Sequence, residues 1–362
     1  MKNQGIKNIC ILLKDLPAGG AEKQAILLAK ELTAYHKVTF VLFNNRIDEK
    51  LDRLIQQYQI NLVILKGNKA TKLFQFFKLL RSNKIDIIFS FLLTANVIGS
   101  LVGGLAGIKN RIGGIRNALL DPKKEKPEKL IHNFFSSLTI FNNHNGAEYY
   151  GSRGFEKNKI RVITNCITLP KDQHTKNIDL NLIKILTVGR FVEQKDHFTA
   201  ILTIKNLVNL GYKNIQYTIV GYGVLENKIR QYIHQHKLNE VINVSINPAN
   251  INDYYNQANI YLCTSLFEGI SNTILEAMSF HLPIIATNVG DNKYLVENGH
   301  NGYLVEKQNI DQTTHSIIKL IDQPKLMTLF GEKSYAKVKA EFSPTRFTDN
   351  YLQLIKELDR TK

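Results

Sequence analysis

Short apolar runs that alternate with helix-like segments constrain the fold of this chain more than any other feature. The runs at 8–13 and 38–43 are each followed by a segment with apolar residues at helical spacing. Strands that alternate with helices form a parallel sheet, because a crossover between parallel strands needs a connection of that length. The alternation restarts at 185, beyond a polar stretch at 171–179 that we interpret as a linker. The 362 residues suffice for two cores, so the sequence predicts an α/β protein of two domains.

The stretch 265–290 contains the densest set of groups that could bind a ligand. Two carboxylates, Glu268 and Glu276, bracket a Gly-Ile-Ser-Asn-Thr turn. Apolar runs at 260–263 and 282–287 enclose the stretch on either side. The order is therefore strand, loop, helix and strand.

The start of that helix is suited to binding a phosphate. Ser271 or Asn272 is in position to cap it, and its free N–H groups and the positive end of its dipole attract anions. Glu276, about one turn into the helix, could accept hydrogen bonds from both hydroxyls of a ribose. Glu268 could do the same for a second polyhydroxylated group. These residues predict a nucleotide-sugar site, although a surface helix with two solvated glutamates fits the same stretch.

The spacing of these groups resembles a known signature. Residues 265–269 read Ser-x-x-Glu-Gly, and seven residues separate Glu268 from the second glutamate, Glu276. Residues 283–290 read Pro-x-x-x-Thr-x-x-Gly. This pattern is similar to the donor site of the family 4 retaining glycosyltransferases of GT-B fold. The resemblance implies two facing Rossmann-like domains and a C-terminal helix that crosses back to the first. It divides the chain into an acceptor-side domain at 1–170, a nucleotide-sugar donor domain at 171–341 and a returning helix at 342–362.

The resemblance also implies which residues bind the donor. Gly19 and Gly20 lie in the first loop, where the family's backbone approaches the donor diphosphate, and Gly221 and Gly223 form a wall of the nucleotide pocket. Glu276 would hold the ribose. The turn residues expected to contact the donor are Gly269, Ile270, Ser271, Asn272 and Thr273.

Arg190 and Lys195 correspond to the family's cationic clamp on the diphosphate and, with Glu268, are expected to take part in catalysis. The leaving nucleoside diphosphate gains negative charge, which fixed cations stabilise without a metal ion. Asp-x-Asp occurs nowhere in the chain, so we expect no metal and no cofactor besides the nucleotide-sugar substrate. We expect front-face attack with retention, since no carboxylate is identified as the nucleophile of a double displacement. The alternative interpretation is that Arg190 and Lys195 are solvated residues on the protein surface.

Two departures from the family pattern bear on the reacting sugar and its specificity. Arg116-Asn117 stands where many relatives carry a histidine near the reacting sugar, and both residues are candidates for catalysis. Arg116 suits an acceptor with a pyrophosphate, because guanidinium pairs bidentately with phosphate. Asp291 and Tyr294 replace a second glycine and a glutamate in the segment 289–305, for which the family pattern implies a glycine-rich loop and a hairpin. The residue that faces the anomeric carbon and the sugar specificity therefore stay open.

The net charge of +16 is concentrated in the first half of the chain. Residues 1–170 contain 26 basic side chains against 12 acidic ones, a balance of +14, whereas residues 171–362 contain 21 against 19. This asymmetry predicts an anionic partner for the first half, such as a membrane surface, a phosphorylated acceptor or nucleic acid. A lysine-rich composition without a specific target is the alternative.

Two segments are candidates for contact with a membrane. Residues 87–108 contain no charge and are long enough to span a bilayer, but their polar residues and glycines favour a buried strand followed by a buried helix. Residues 69–84 form a basic helix that could lie on an anionic bilayer, although its apolar stripe more commonly packs on the sheet. A signal peptide is not expected. The separated Cys10, Cys166 and Cys263 fit a reducing cytoplasm.

Together these features predict a retaining transferase that moves a hexosyl or N-acetylhexosaminyl group from a UDP-sugar to a glycan or lipid-linked saccharide. We expect it at the inner face of the cytoplasmic membrane, in bacterial cell-envelope polysaccharide biosynthesis. A GT-B epimerase or phosphorylase would share the fold and remains an alternative. A nucleic-acid-binding protein would explain the charge but not the paired glutamates, so we expect no nucleic-acid partner.

Overall fold

The computed structural model describes residues 5–17, 19–116, 122–170 and 180–360 of the chain. Asn117 and the predicted linker at 171–179 lie outside the described residues. The chain forms two compact units. Unit 1 combines the chain up to Cys166 with the segment from Pro344 onward, and unit 2 is Ile167–Ser343.

Unit 1 contains a seven-stranded parallel sheet with the order β3-β2-β1-β4-β5-β6-β7. The strands are β1 Asn8–Leu13, β2 Lys37–Leu42, β3 Leu62–Ile64, β4 Ile87–Ser90, β5 Asn110–Ile115, β6 Leu138–Phe141 and β7 Ile160–Val162. The helices between them are α1 Gly20–Thr33, α2 Glu49–Gln57, α3 Lys69–Ser82, α4 Leu93–Leu105, α5 Pro122–Leu130 and α6 His144–Ser152, with a π-helical turn at Ile131–Phe135 after α5. The alternation read from the sequence is therefore confirmed as a parallel sheet.

Both membrane candidates belong to this unit. The uncharged segment 87–108 forms β4, α4 and the loop to β5, and none of the helices in the described parts of the chain is long and apolar enough to cross a membrane. On α3, Phe76 and Leu80 are buried in an apolar cluster with β1 and α4. The apolar stripe of α3 therefore packs inside the unit, which is the more common role of such a stripe.

Unit 2 contains a six-stranded parallel sheet with the order β10-β9-β8-β11-β12-β13. The strands are β8 Ile183–Val188, β9 Ile215–Gly221, β10 Ile242–Ile246, β11 Ile260–Cys263, β12 Ile284–Thr287 and β13 Gly302–Val305. The helices are α7 His197–Asn209, α8 Glu226–Gln235, α9 Asn252–Gln257, α10 Asn272–Ser279, α11 Asn292–Leu295, α12 Ile310–Asp322 and α13 Pro324–Glu341. The two Rossmann-like sheets match the predicted fold class.

The predicted hairpin within 289–305 is wrong. The segment contains one strand, β13, and its neighbour is the parallel strand β12, which ends before residue 289. Parallel strands cannot be joined by a tight turn, and the short helix α11 carries the chain back to the start of β13.

The last helix, α14 Pro344–Arg360, completes the core of unit 1. Phe347, Tyr351 and Ile355 recur at helical spacing and are buried in the same cluster as β1 and α1. The ring of Tyr351 packs edge-on against Phe89 of β4, with 5.4 Å between the ring centroids. Helix α14 therefore contacts the central strands of the first sheet.

Candidate functional site

In unit 2, the site residues that the sequence predicts lie mainly beyond the carboxyl ends of β8, β9 and β11. Three loops meet there: residues 189–196 after β8, the turn after Gly221 at the end of β9, and residues 264–271 before α10. In open parallel sheets this edge is where ligands bind.

The loop after β8 is held by the start of α7. Its last turn is a 3₁₀ turn at Glu193–Lys195, and Asp196 takes a left-handed conformation and caps α7 by accepting from the N–H of Thr199. His197 donates through Nε2 to the carbonyl oxygen of Arg190 at 3.1 Å. Burial lowers the pKa of His197 to about 4, so the ring is neutral at physiological pH. The hydrogen bond from His197 thereby holds the backbone at Arg190 in place.

Hydrogen bonds tie this loop to the loop before α10. The N–H of Leu266 donates to the Gln194 carbonyl at 2.8 Å, and the Gln194 side chain donates to the Phe267 carbonyl at 2.9 Å. Thr264 donates through its hydroxyl to the Asp196 carbonyl at 2.9 Å. These bonds align segments that are far apart in the chain.

Their alignment brings together Lys195 and Glu268, two of the predicted catalytic residues. Lys195 Nζ lies 2.5 Å from Glu268 Oε1, and the hydroxyl of Ser265 donates to the same oxygen at 2.7 Å. The side chains are 14% and 7% exposed, so this ion pair is largely shielded from water. Arg190, in contrast, is exposed, and among the residues that the structure describes its guanidinium reaches only Gln194, at 3.5 Å.

Helix α10 begins beside this ion pair. Ser271 occupies the N-cap position, but its side chain makes no capping hydrogen bond and instead meets the Thr273 hydroxyl at 3.3 Å. The predicted N-cap position is therefore right, whereas the capping bond is not formed. Ile270 is buried in the apolar cluster of this unit, so only its backbone is available to a ligand. Asn272 and Thr273 are half-buried at the first turn.

Glu276 lies on the second turn of α10 and is half-buried. Tyr255 of α9 donates its hydroxyl to Glu276 Oε2 at 2.9 Å. The ring of Tyr255 is fully buried and stacks on Phe280 with 5.3 Å between centroids. This tyrosine fixes the orientation of the carboxylate.

The predicted glycines pack the loops of this edge together. A Cβ at Gly221 would lie 1.9 Å from the Gly189 carbonyl oxygen, and one at Gly223 would lie 2.5 Å from that of Phe191. At Gly290, with φ of +54°, a Cβ would lie 2.0 Å from the Glu268 carbonyl oxygen. Gly269 accepts a hydrogen bond from the N–H of Asp291 at 3.1 Å. Larger residues would push the Arg190 loop away from the end of β9 and the Glu268 loop away from the loop after β12.

The remaining predicted residues belong to unit 1. Gly19 is the N-cap of α1 and Gly20 its first residue. A Cβ at Gly19 would lie 2.2 Å from a carboxylate oxygen of Glu22. Glu22 is buried, which raises the pKa of its carboxyl above the usual range.

Arg116 follows β5 and is buried, at 8% exposed. Its guanidinium lies over the ring of Phe91, 4.6 Å from the centroid, and donates to the Tyr351 hydroxyl at 3.2 Å and to Asn165 at 3.4 Å. Its Nε has no partner among the described residues. Arg116 is thus held by the C-terminal helix, a contact that the sequence did not predict. Its neighbour Asn117 lies outside the described residues.

Several residues of the site were not assigned a role from the sequence. Ser265 was visible in the signature, but its bond to Glu268 was not predicted. Tyr255 lies in a segment whose sequence is irregular, and no local pattern places it beside Glu276. His197 and Gln194 donate to backbone carbonyl oxygens. Every residue has such an oxygen, so the sequence does not reveal these contacts. Across the described ranges, no group of three or more His, Cys, Asp or Glu side chains could hold a metal ion.

The second half of the chain matches a known protein family. Residues 170–337 match the family model described as glycosyl transferases group 1. An uncharacterized glycosyltransferase of Haemophilus influenzae is 31% identical over 182 residues, a match that covers 50% of each chain. This match spans only half the length of that relative.

Two other relatives match over most of their length. An Escherichia coli enzyme described as UDP-Gal:alpha-D-GlcNAc-diphosphoundecaprenol alpha-1,3-galactosyltransferase is 24% identical, with 81% of this chain and 80% of that protein covered. A Campylobacter jejuni N-acetylgalactosaminyltransferase, whose name specifies a diphospho-undecaprenol-linked saccharide, is 24% identical, with 92% and 96% covered. Both alignments extend into the first half of this chain, most of which the family model does not reach.

Among solved structures, Anabaena HepE in complex with UDP superimposes with a TM-score of 0.86 at 17% sequence identity. The match covers 97% of this chain and 100% of that one. At this identity the likeness establishes the fold, which is GT-B.

Proposed function

We propose that the chain is a glycosyltransferase of the family 4-like type and that it transfers a hexosyl or N-acetylhexosaminyl group from a UDP-sugar to a lipid-linked saccharide. The transfer would proceed with retention of configuration and without a metal. The main support for a donor site in unit 2 is the Lys195–Glu268 ion pair, which lies beside the start of α10, where no side chain caps the helix. UDP as the carrier is supported by the UDP in the names of the E. coli relative and of the Anabaena complex.

The donor diphosphate would bind at the start of α10. Free N–H groups at a helix start bind anions, and Lys195 and Arg190 supply positive charge on the adjacent loop. The Lys195 ammonium has three donors, so it can keep Glu268 in place and bind a phosphate oxygen as well. Glu268 would then accept from sugar hydroxyls, and Glu276, held by Tyr255, from the ribose.

In the proposed step, the bond between the sugar C1 and the β-phosphate oxygen breaks, and its electron pair stays on the diphosphate. The acceptor oxygen bonds to C1 on the same face, and its proton passes to the departing diphosphate oxygen. Fixed cations and helix N–H groups that stabilise developing charge are a large source of rate enhancement in enzymes. Front-face transfer of this kind requires no carboxylate nucleophile from the protein.

The transfer assay uses radiolabelled UDP-glucose, UDP-galactose and their N-acetyl analogues in EDTA, with polyprenyl diphosphate N-acetylglucosamine as acceptor. We expect label from one donor in an organic-extractable product with an α linkage by NMR, and its loss in Lys195→Ala but not in the exposed control Lys213→Ala. A β linkage would contradict retention. A requirement for added Mg²⁺ would contradict metal independence. Conversion of the UDP-sugar without acceptor would favour an epimerase.

We further propose that unit 1 docks on an anionic membrane through an apolar patch formed by Leu101 and Leu105 of α4 and Phe134 and Phe135 of the π-helical turn. These side chains are exposed by 40%, 79%, 72% and 38%, respectively. Arg111 donates to the Phe135 carbonyl at 2.9 Å and so ties the turn to β5.

The charge around the patch suits lipid headgroups. Arg81 and Lys109 are exposed, and Arg81 reaches the carbonyl of Ala106 at the end of α4. Apolar side chains flanked by cations are typical of surfaces that bind anionic bilayers, and the surplus of basic residues falls in this half of the chain.

Flotation with vesicles of phosphatidylglycerol and phosphatidylcholine at low salt tests this docking. Wild-type protein should float, and Leu105→Ser with Phe134→Ser should reduce the floated fraction several-fold. Leu210→Ser, which changes a 59% exposed leucine of unit 2, is the matched control. Failure of the wild type to float, or equal flotation of the double variant, would refute the membrane proposal.

A further inference from the structure

Unit 1 contains a pocket of about 220 Å³ at the carboxyl edge of its sheet. It is lined by the ends of β1, β4 and β5 and by α5, and its polar side chains include Asp15, Thr94, Arg116, Lys124 and Glu128. Strand β1 has β2 on one side and β4 on the other. The strands before β4 are therefore added on one side of β1, and those from β4 onward on the other side. Ligands of open parallel sheets bind in the crevice at such a switch point.

The most unusual group in this pocket is the carboxyl of Glu128 on α5. It is 3% exposed, and both of its oxygens accept from Asn96 Nδ2 at 3.1 Å. Within the described ranges, no cation lies within ion-pair distance of it. Burial therefore raises the pKa of Glu128 to about 7. A buried carboxyl without a counter-ion costs stability, and such groups cluster at functional sites.

Asn96 cannot satisfy this carboxyl alone. The asparagine side chain is fixed by Gly114 of β5, since it accepts from the Gly114 N–H at 3.1 Å and donates to the Gly114 carbonyl at 3.2 Å. A single amide group therefore serves both the Gly114 carbonyl and Glu128, whereas an ionised carboxylate has about four acceptor sites. Glu128 keeps acceptor capacity on the side of the pocket.

The walls of the pocket carry charged groups of both signs and an apolar surface. Lys14, Arg116 and Lys124 contribute three cations, and Asp15 and Glu128 two carboxyl groups. The apolar wall includes Leu13 and the ring of Phe91, and Arg116 already lies over that ring. Drug-sized ligands need roughly 300 Å³ or more, so this pocket has room for one sugar ring.

We propose that this pocket binds the terminal sugar ring of the acceptor and that Glu128 accepts hydrogen bonds from its hydroxyl groups, which makes Glu128 a determinant of acceptor specificity. This inference rests on the proposed transferase function. It assigns the recognition of the acceptor sugar to a residue on α5.

Saturation-transfer NMR on the full chain tests the inference, with the methyl glycosides of glucose, galactose, N-acetylglucosamine and N-acetylgalactosamine as probes. Saturating UDP is added so that the probes do not occupy the donor site. We expect at least one glycoside to bind the wild type, and Glu128→Gln to weaken it at least about fivefold. Glu125→Gln, on the same helix but paired with Arg153 at 2.6 Å, is the matched control.

Binding of none of the four glycosides, or equal binding by wild type and Glu128→Gln, would overturn the inference. If Glu128→Gln does not fold, Thr94→Val replaces it, because Thr94 lines the same pocket and is exposed. Calorimetry with UDP on the same samples separates the two proposals. Retained UDP binding with lost sugar binding supports the Glu128 role, whereas absent UDP binding by the wild type counts against the transferase function itself.

Discussion

The ammonium nitrogen of Lys195 lies 2.5 Å from Oε1 of Glu268, although 73 positions separate the two residues in the chain. The contact joins a residue expected to bind the diphosphate with one expected to bind the sugar. Each therefore positions the other before any donor arrives.

Lys195→Met should destabilise the protein and impair transfer. It leaves Glu268, 7% exposed, without its counter-ion, and breaking a buried ion pair costs about 3–5 kcal/mol. Removal of one charge-stabilising group also slows reactions by about a hundredfold or more. Chemical denaturation and a transfer assay measure the two effects.

The double variant Lys195→Met/Glu268→Gln separates these effects. It should regain most of the lost stability, because no uncompensated carboxylate remains, but transfer should stay low. A double variant no more stable than Lys195→Met would contradict the ion pair seen here.

Tyr255→Phe should weaken UDP binding by about fivefold, in line with the roughly 1 kcal/mol of a typical hydrogen bond. The variant removes the hydroxyl that donates to Glu276 at 2.9 Å. Tyr254→Phe is the control, since that hydroxyl meets Ser245 instead, at 2.7 Å. Isothermal calorimetry with UDP and its 2′,3′-dideoxy analogue makes the comparison. An equal loss for both nucleotides would argue against a role of Glu276 at the ribose.

Gly221→Ala should destabilise unit 2 by about 2 kcal/mol or more, because overpacking forces the backbone apart. Its Cβ would lie 1.9 Å from the Gly189 carbonyl oxygen, next to Arg190. Gly104→Ala, in helix α4, is the control, since its nearest contact would be Arg111 at 3.9 Å. Alanine stabilises helix interiors relative to glycine by about 0.5–1 kcal/mol. Similar melting temperatures for the two variants would contradict the close approach of the β8 and β9 loops.

The sequence predicted most of the fold because local patterns determine its elements. The apolar run at 260–263 forms β11 with the same bounds, and Ser271 stands at the N-cap of α10 as expected. The hairpin that the family resemblance implied within 289–305 is wrong because β13 pairs in parallel with β12, which lies before that segment.

The site was harder to predict because its contacts are not local. Spacing and resemblance identified Lys195 and Glu268 separately, but loop-to-loop hydrogen bonds at Gln194 and Thr264 make them partners. Tyr255 and Glu128 lie outside any motif. Only the folded chain places the first beside Glu276 and buries the second in a pocket.

Glu128→Gln should change how stability depends on pH. Burial raises the pKa of Glu128 from 4.5 to about 7 in the folded protein. Its stabilising contribution is therefore fully present below pH 4.5 and is lost as the pH rises through 7. Between pH 5 and 8 the melting temperature of the wild type should fall by a few degrees relative to the variant. An unchanged difference across that range would contradict the buried, uncompensated carboxyl.

Calorimetric binding of UDP, GDP, ADP and CMP in EDTA, by the wild type and Glu276→Ala, tests the donor site most directly. We expect the wild type to bind UDP selectively and Glu276→Ala to bind it at least about tenfold more weakly. Glu240→Ala, at an exposed position of the same unit, should bind UDP like the wild type. Absence of nucleotide binding, or UDP binding that is indifferent to Glu276, would contradict the assignment of α10 and its flanking loops as the donor site.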